Sequence, residues 1–357
     1  MLKIARGWRR RLMWTFVLCM TALIHAEDLE WLYNVEFQVT GQSEQERLEA
    51  LQEGLEIVLI RVTGLRELPK LDLIDAAFND LNAYQMQFRY EQVETPDNLE
   101  IGTRLTVNYD ENAVHALIRD AELPVWSAQR PHVLFLISIV DGERRIVLNE
   151  TEINEVQRVI RKAASRRGVA FSQPLMDFTD RKELREGSIA FGFLRSVESL
   201  RHRARADLVA VARIDPSVFQ QHRVWLALHD ATGRRVQVFD EGDLLQTAEE
   251  VVHRTADYLA QRYAVTGGET TALQLVVTGI SDVMEYKGVL DYLEKWEFID
   301  RVLLSSVEHD RIEFELRTSS TWEQFAIHLN EDGVLTPSPS ASPSYEQIPE
   351  YVWQYSP

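Results

Sequence analysis

Residues His132 to Val140 read HVLFLISIV, a short and almost unbroken apolar run rich in β-branched residues, with Gly142 close behind. Such a run reads as a strand buried on both faces, the centre of an α/β sheet covered by helices. The flanking sequence has to supply those covers. After it, Ile153, Val156, Val159, Ile160 and Ala163 recur at helical spacing from an expected start at Thr151, and Gly168 closes the helix. A further helix is expected over Ser188 to Leu200. Strands follow at Asp207–Ile214, Val224–His229 and Arg235–Phe239, the last two joined by Ala231-Thr232-Gly233, and a long helix spans Asp243–Tyr263. Residues 131–265 thus predict a mixed-sheet α/β middle domain.

Before it, residues 27–125 predict a compact α+β domain. Trp31–Thr40 alternates as a half-buried strand, and Ser43 with Glu46 caps a helix that Gly64 stops. A second helix runs through Leu71, Ile74, Phe78 and Leu81. Two strands then meet at a Thr95–Asn98 turn, and Asp110 caps a last helix. After it, Gly267-Gly268 reads as a linker. Residues 270–335 then give strand, helix, strand, strand, helix, strand, the ferredoxin-like order, with Ser281 as a cap. The Pro/Ser-rich segment 336–357 lacks periodicity and is expected to be disordered. The fold class is therefore α+β / α/β in three small domains, consistent with 357 residues at roughly 150 per domain.

The first 26 residues differ from the rest. Five cations between Lys3 and Arg11 precede the apolar run Leu12–Ile24 and a small residue, Ala26, before Glu27-Asp28. That is the pattern of a cleavable export signal, its apolar core short of the roughly 20 residues a spanning helix needs. The single cysteine, Cys19, lies inside this leader. A mature chain beginning at Glu27 would then hold no disulfide, cysteine–zinc site or thiol nucleophile. It would carry 33 Lys+Arg against 56 Asp+Glu, which argues against a nucleic-acid partner. The charge is uneven. Residues 27–130 hold 8 basic and 21 acidic side chains, 131–235 hold 18 and 13, and 236–357 hold 7 and 22.

The basic middle segment places Arg158, Arg161, Lys162, Arg166 and Arg167 on one helix, with Arg201, Arg203 and Arg205 further on. Such a cluster can bind peptidoglycan or an anionic lipid headgroup, or dock against the chain's own acidic flanks. Asp177 and Asp180 follow a short strand, where a carboxylate pair can hold a cation or act as acid and base, or simply cap the next turn. His222 and His229 share a hairpin with Asp230. No HExxH, GxSxG, Walker or GxGxxG motif occurs, so no cofactor is implied. The aromatic tail residues Tyr345, Tyr351, Trp353 and Tyr355 suit a linear anchor for a partner or a role-free disordered end.

Arg166-Arg167-Gly168-Val169, Pro174-Leu175-Met176-Asp177 and Ala206-Asp207-Leu208-Val209 carry a resemblance, joined by Leu32-Tyr33-Asn34-Val35, the helix end Val58–Gly64 and Trp225. At these stretches the chain resembles a family of uncharacterised exported bacterial proteins, filed as a domain of unknown function, number twenty-sixty-six. The resemblance implies export and covers most of the mature chain, but brings no catalytic residue or cofactor. Sequence alone therefore predicts a soluble periplasmic, non-enzymatic binding or assembly factor with an envelope protein partner. The alternative is an envelope hydrolase or metal-assisted enzyme using Asp177 and Asp180.

Overall fold

The computed structural model describes residues 30–94, 101–142, 144–184, 194–217, 221–265, 270–338 and 348–354. The expected leader, the Thr95–Asn98 turn and the Gly267-Gly268 linker lie outside these residues. The chain is mixed α/β, with helices layered on several sheets.

The N-terminal part runs α1 (Glu30–Tyr33), β1 (Asn34–Val39), α2 (Glu44–Thr63), α3 (Asp72–Asn79), β2 (Gln85–Glu94), β3 (Ile101–Tyr109) and α4 (Glu111–Asp120). Its three strands form an antiparallel sheet in the order β1-β3-β2. Ser43 and Glu46 make the expected reciprocal capping box at the start of α2, and Asp110 caps α4. The core joins Leu55, Val58 and Leu59 of α2 to Leu105 and Val107 of β3 and to Val114 and Ile118 of α4.

The central part follows β4 (Val125–Trp126). Its elements are β5 (Val133–Asp141), β6 (Arg144–Val147), α5 (Glu155–Arg167), β7 (Phe171–Ser172), α6 (Phe178–Glu183), α7 (Leu194–Ala204), β8 (Leu208–Pro216), β9 (His222–Asp230), β10 (Gly233–Glu241), α8 (Leu244–Tyr263) and β11 (Ala264–Val265). The strand order is β10-β9-β8-β5-β6, with β7 also beside β5; β5 is parallel to β7 and β8, and the other pairs are antiparallel. β5 is buried on both faces, as its apolar run requires. Val133, Phe135 and Ile137 pack with Ile160, Ala163, Val251 and Val252 of α5 and α8, while Leu134 and Leu136 face Leu184, Val197 and Leu200. Helix α5 starts later than its apolar spacing suggested. Asn154 is its cap, whereas Thr151 bonds to Asn149.

The C-terminal part comprises β12 (Thr271–Thr278), α9 (Val283–Glu294), β13 (Ile299–Glu308), β14 (Arg311–Thr318), α10 (Trp322–Asp332), β15 (Leu335–Pro337) and β16 (Glu350–Trp353). The helix expected to begin at Ser281 is capped by Asp282 instead. The disorder expected over 336–357 is corrected at both of its described ends. β16 inserts between β12 and β15 in the order β13-β14-β12-β16-β15, parallel to β12 and antiparallel to β15. Tyr351 is buried with its ring edge-on to Trp322, and Trp353 packs against Tyr292. Aromatic burial holds what the Pro/Ser composition of the preceding stretch disguised.

Two glycines bring the N-terminal helix layer onto the central one. Gly64 ends α2 at φ +70, and a Cβ there would meet the Ala260 Cβ at 2.8 Å and the Trp126 ring at 3.0 Å. Gly168 ends α5 at φ +65, with Arg61 of α2 at 3.3 Å from where its Cβ would lie. Gly64→Ala should therefore cost about 2–4 kcal/mol, combining left-handed strain with overpacking. Gly333→Ala, at φ +66 with nothing within 4 Å, should cost only about 1. Chemical denaturation of the two variants checks the difference.

His328 gives the C-terminal sheet a pH signature. It lies 5% exposed among Trp296, Phe298 and Tyr263. Burial pushes its imidazole down from 6.5 to about 4. In this window the unfolded chain binds the proton and the folded one does not, so the stabilisation is whole above 6.5 and lost as pH falls through 4. The loss should reach roughly 3 kcal/mol, and His328→Phe should flatten the stability profile over that range.

Candidate functional site

The arginines marked in the sequence separate by depth. Arg167, fully buried, sends Nη2 to Asp257 Oδ1 at 2.6 Å and to the Gly64 carbonyl at 3.2 Å, while Nη1 donates to His253 Nδ1 at 3.1 Å. Arg166 pairs with Glu56 of α2, and Arg161 with Glu150 at 2.9 Å. Arg158 is exposed and has no carboxylate partner among the described residues. Two of the four thus face the chain's own N-terminal part. Across the same contact, Arg61 Nε donates to Ser165 O at 2.7 Å and Nη1 to the carbonyls of Trp31, Leu32 and Asn34. Burial draws Arg61 down to about 10. Arg66 completes the contact by pairing with Glu250 of α8.

Asp177 and Asp180 are brought together, but by a cap. Asp177 accepts the Asp180 N–H at the start of α6, Asp180 Oδ2 accepts the Met176 N–H at 3.0 Å, and Arg203 of α7 bonds to both carboxylates. The Arg203 hydrogen bond, followed by that from the Asp180 N–H, holds Asp177 below the usual carboxylate range. Every oxygen of the two carboxylates is thus engaged by Arg203 or by a backbone N–H of the cap. His222 and His229 lie near opposite ends of β9. His222 Nδ1 meets Gly242 O at 3.1 Å, whereas His229 is buried and pushed down by that burial. Among the described residues no group of three metal-ligating side chains converges.

Beside the carboxylate cap opens a cleft of about 310 Å³ between the start of β5 and α7. Leu134, Pro174, Leu175, Leu200 and Ala204 give it apolar walls, and Leu175 and Phe178 stand exposed nearby. Its polar lining is His132, Glu150, Ser172, Gln173, Asp180 and Arg203, and strand pairing sets two of these side by side. β7 lies against β5 with Leu134 opposite Ser172, and His132 Nε2 reaches Ser172 Oγ at 2.8 Å. Burial lowers the His132 pKa, so the pair meets as neutral imidazole and hydroxyl near neutral pH. Next to it, Gln173 is 4% exposed, and neither atom of its amide has a partner. A buried primary amide left unpaired is costly. Its backbone N–H is held by Glu150 Oε2 at 3.2 Å, which fixes the residue against the cleft.

Sequence reading missed Gln173 and Ser172, because a polar dipeptide before Pro174 is also how a loop begins. Arg61 did leave a trace: a lone cation between Ile60 and Val62, on a helix otherwise apolar there.

Residues 26–127 match a family described as a domain of unknown function (DUF8605). The match contains the N-terminal sheet, its helices and β4, and stops before the basic helix and the cleft. No curated protein matches the chain. No helix among the described residues is long and apolar enough to cross a membrane.

If the basic face mainly docks the chain onto itself, its exposed pairs contribute little. Arg158, Arg161 and Arg166 replaced together by Gln should lower stability by about 1–2 kcal/mol, at most about 1 per exposed pair. Salt-dependent co-sedimentation with peptidoglycan or anionic vesicles should not differ between this variant and wild type.

Proposed function

We propose that this is an exported, periplasmic binding factor of the cell envelope that holds a segment of a partner protein in the β5–β7–α7 cleft. The observation carrying this reading is the Gln173 amide, buried and unpartnered in a cleft walled by Leu134, Pro174, Leu175, Leu200 and Ala204. A primary amide is complementary to a peptide group, accepting from its N–H and donating to its carbonyl. The apolar walls suit a flanking side chain, and Leu175 and Phe178 extend the apolar surface outward. Export rests on the leader pattern and on the likeness of the middle motifs to uncharacterised exported bacterial proteins. The three core regions are read as three domains, the last a ferredoxin-like unit whose sheet has been opened by an extra strand. A hydrolase built on Asp177 and Asp180 is less well supported, because Arg203 and the cap occupy both carboxylates.

Gln173→Leu separates ligand recognition from structure. Removing an unsatisfied amide at nearly constant volume should leave stability unchanged or raise it by about 1 kcal/mol. A photo-crosslinker at Phe178 should give a partner adduct in envelope extracts that Gln173→Leu abolishes, while one at exposed Ile153 gives none. Destabilisation by Gln173→Leu, or identical adducts from both positions, would refute the assignment.

A further inference from the structure

The central sheet ends on β6 at one side and on β10 at the other. A short edge strand offers little backbone to pair with, and β6 has 4 residues; β10 has 9 and no strand beyond it among the described residues. Its side chains divide between the two faces. Gln237 and Phe239 turn to α8, where Arg254 Nη1 donates to Gln237 Oε1 at 3.3 Å and the guanidinium covers the Phe239 ring, and Arg235 lies over Tyr258 of the same helix. Arg234, Val236, Val238 and Asp240 take the other face. There Val236 is 44% and Val238 61% exposed, while Arg234 stacks over Trp225 of β9 and Asp240 pairs with Arg223.

Two exposed valines on a long edge strand invite pairing, and the charges around them decide with what. On β10 those charges are separated, with Arg234 and Arg235 at the start and Asp240 and Glu241 at the end. A second β10 laid parallel and in register would set arginine against arginine. Laid antiparallel about a two-fold axis passing through the sheet at Gln237, it sets Arg234 against Asp240 of the second copy and Val236 against its Val238, and the symmetry repeats both pairs. Neighbouring registers lose this match. An axis at Val236 would leave Arg234 against Val238, and one at Val238 would set Asp240 against Val236. The helices do not obstruct the approach. α8 packs on Leu226 and Leu228 of β9 and on Ala210 and Ala212 of β8, so the two copies of α8 would stand at least three strand spacings apart. That is about 14 Å, wider than the roughly 8–10 Å of packed helices.

We infer that β10 is a self-association edge, through which two copies of this chain join their central sheets antiparallel about a two-fold axis at Gln237. The β5–β7–α7 cleft lies beyond β9 and β8 from this edge, so both copies keep it open. One strand of 9 residues from each copy makes an interface smaller than the standard size of about 1,600 Å², so the dimer should dissociate in roughly the micromolar range.

Sedimentation velocity of the mature chain between about 1 and about 100 μM tests this, and wild type should pass from monomer to dimer over that range. Arg234→Asp would oppose Asp240 of the second copy, and Asp240→Arg would oppose its Arg234, so each variant alone should dimerise at least about tenfold more weakly. Mixed in equal amounts, the two should form a heterodimer, because both cross-pairs are again opposite in sign. Val238→Lys should weaken association alone and in mixture with either variant. All these side chains are exposed, and circular dichroism should show each variant folded as wild type. A wild type that stays monomeric, with β10 covered by another part of the chain or bare, overturns the proposal. So does a dimer that survives both charge reversals, or a mixture that fails to associate. Gln173→Leu should dimerise as wild type does, so failure at this edge is distinct from failure at the cleft.

Discussion

The architecture depends on two buried arginines that cross between glycine-ended helices. Arg61 near the end of α2 and Arg167 at the end of α5 each reach into the other helix's layer and donate to carbonyls that a helix terminus or turn leaves open. Each buried cation is costly alone and tolerable only while the opposite layer is present. Such a contact does more to fix the relative placement of the two layers than to add stability. It also explains the glycines, since only a residue without a Cβ lets the backbones approach closely enough for the side chains to cross.

The uneven charge of the chain has a matching physical basis. Part of the middle segment's basic excess is spent inward, on Glu56, Glu150, Asp257 and the paired carboxylates at α6, and Glu250 receives Arg66 from the other side. A contact built in this way is selective about its partner surface, because an apolar neighbour would leave these charges unpaired.

Much of this was legible from periodicity and caps. The β5 run, the Ser43–Glu46 box, the Gly64 and Gly168 stops and the β9–β10 hairpin are local signals, and the structure contains each of them. Signals that depend on distant residues were not legible. Thr151 looked like a cap until Asn149 claimed it, and Asp177 and Asp180 could be either chemistry or a cap by spacing alone, with nothing local to announce Arg203, more than twenty residues on, which reaches both. The cleft is harder still to foresee. Ser172 meets His132 across 40 residues, and Gln173 matters for what it lacks, which no spacing rule records.

The intercalated strand β16 bears on the order in which the molecule can be built. Val276 pairs with Glu350, so closing that ladder joins positions 74 residues apart, after the hairpin and both helices have had the chance to form. Until then β12 has one unpaired edge of N–H and C=O groups, and β15, which pairs only with β16, has no neighbour on either side. The last strand to arrive lands inside the sheet, not on its rim. During synthesis, which runs N-terminus first, the C-terminal sheet therefore stays incomplete and edge-exposed until β16 emerges, the interval in which a folding helper would be most useful to it.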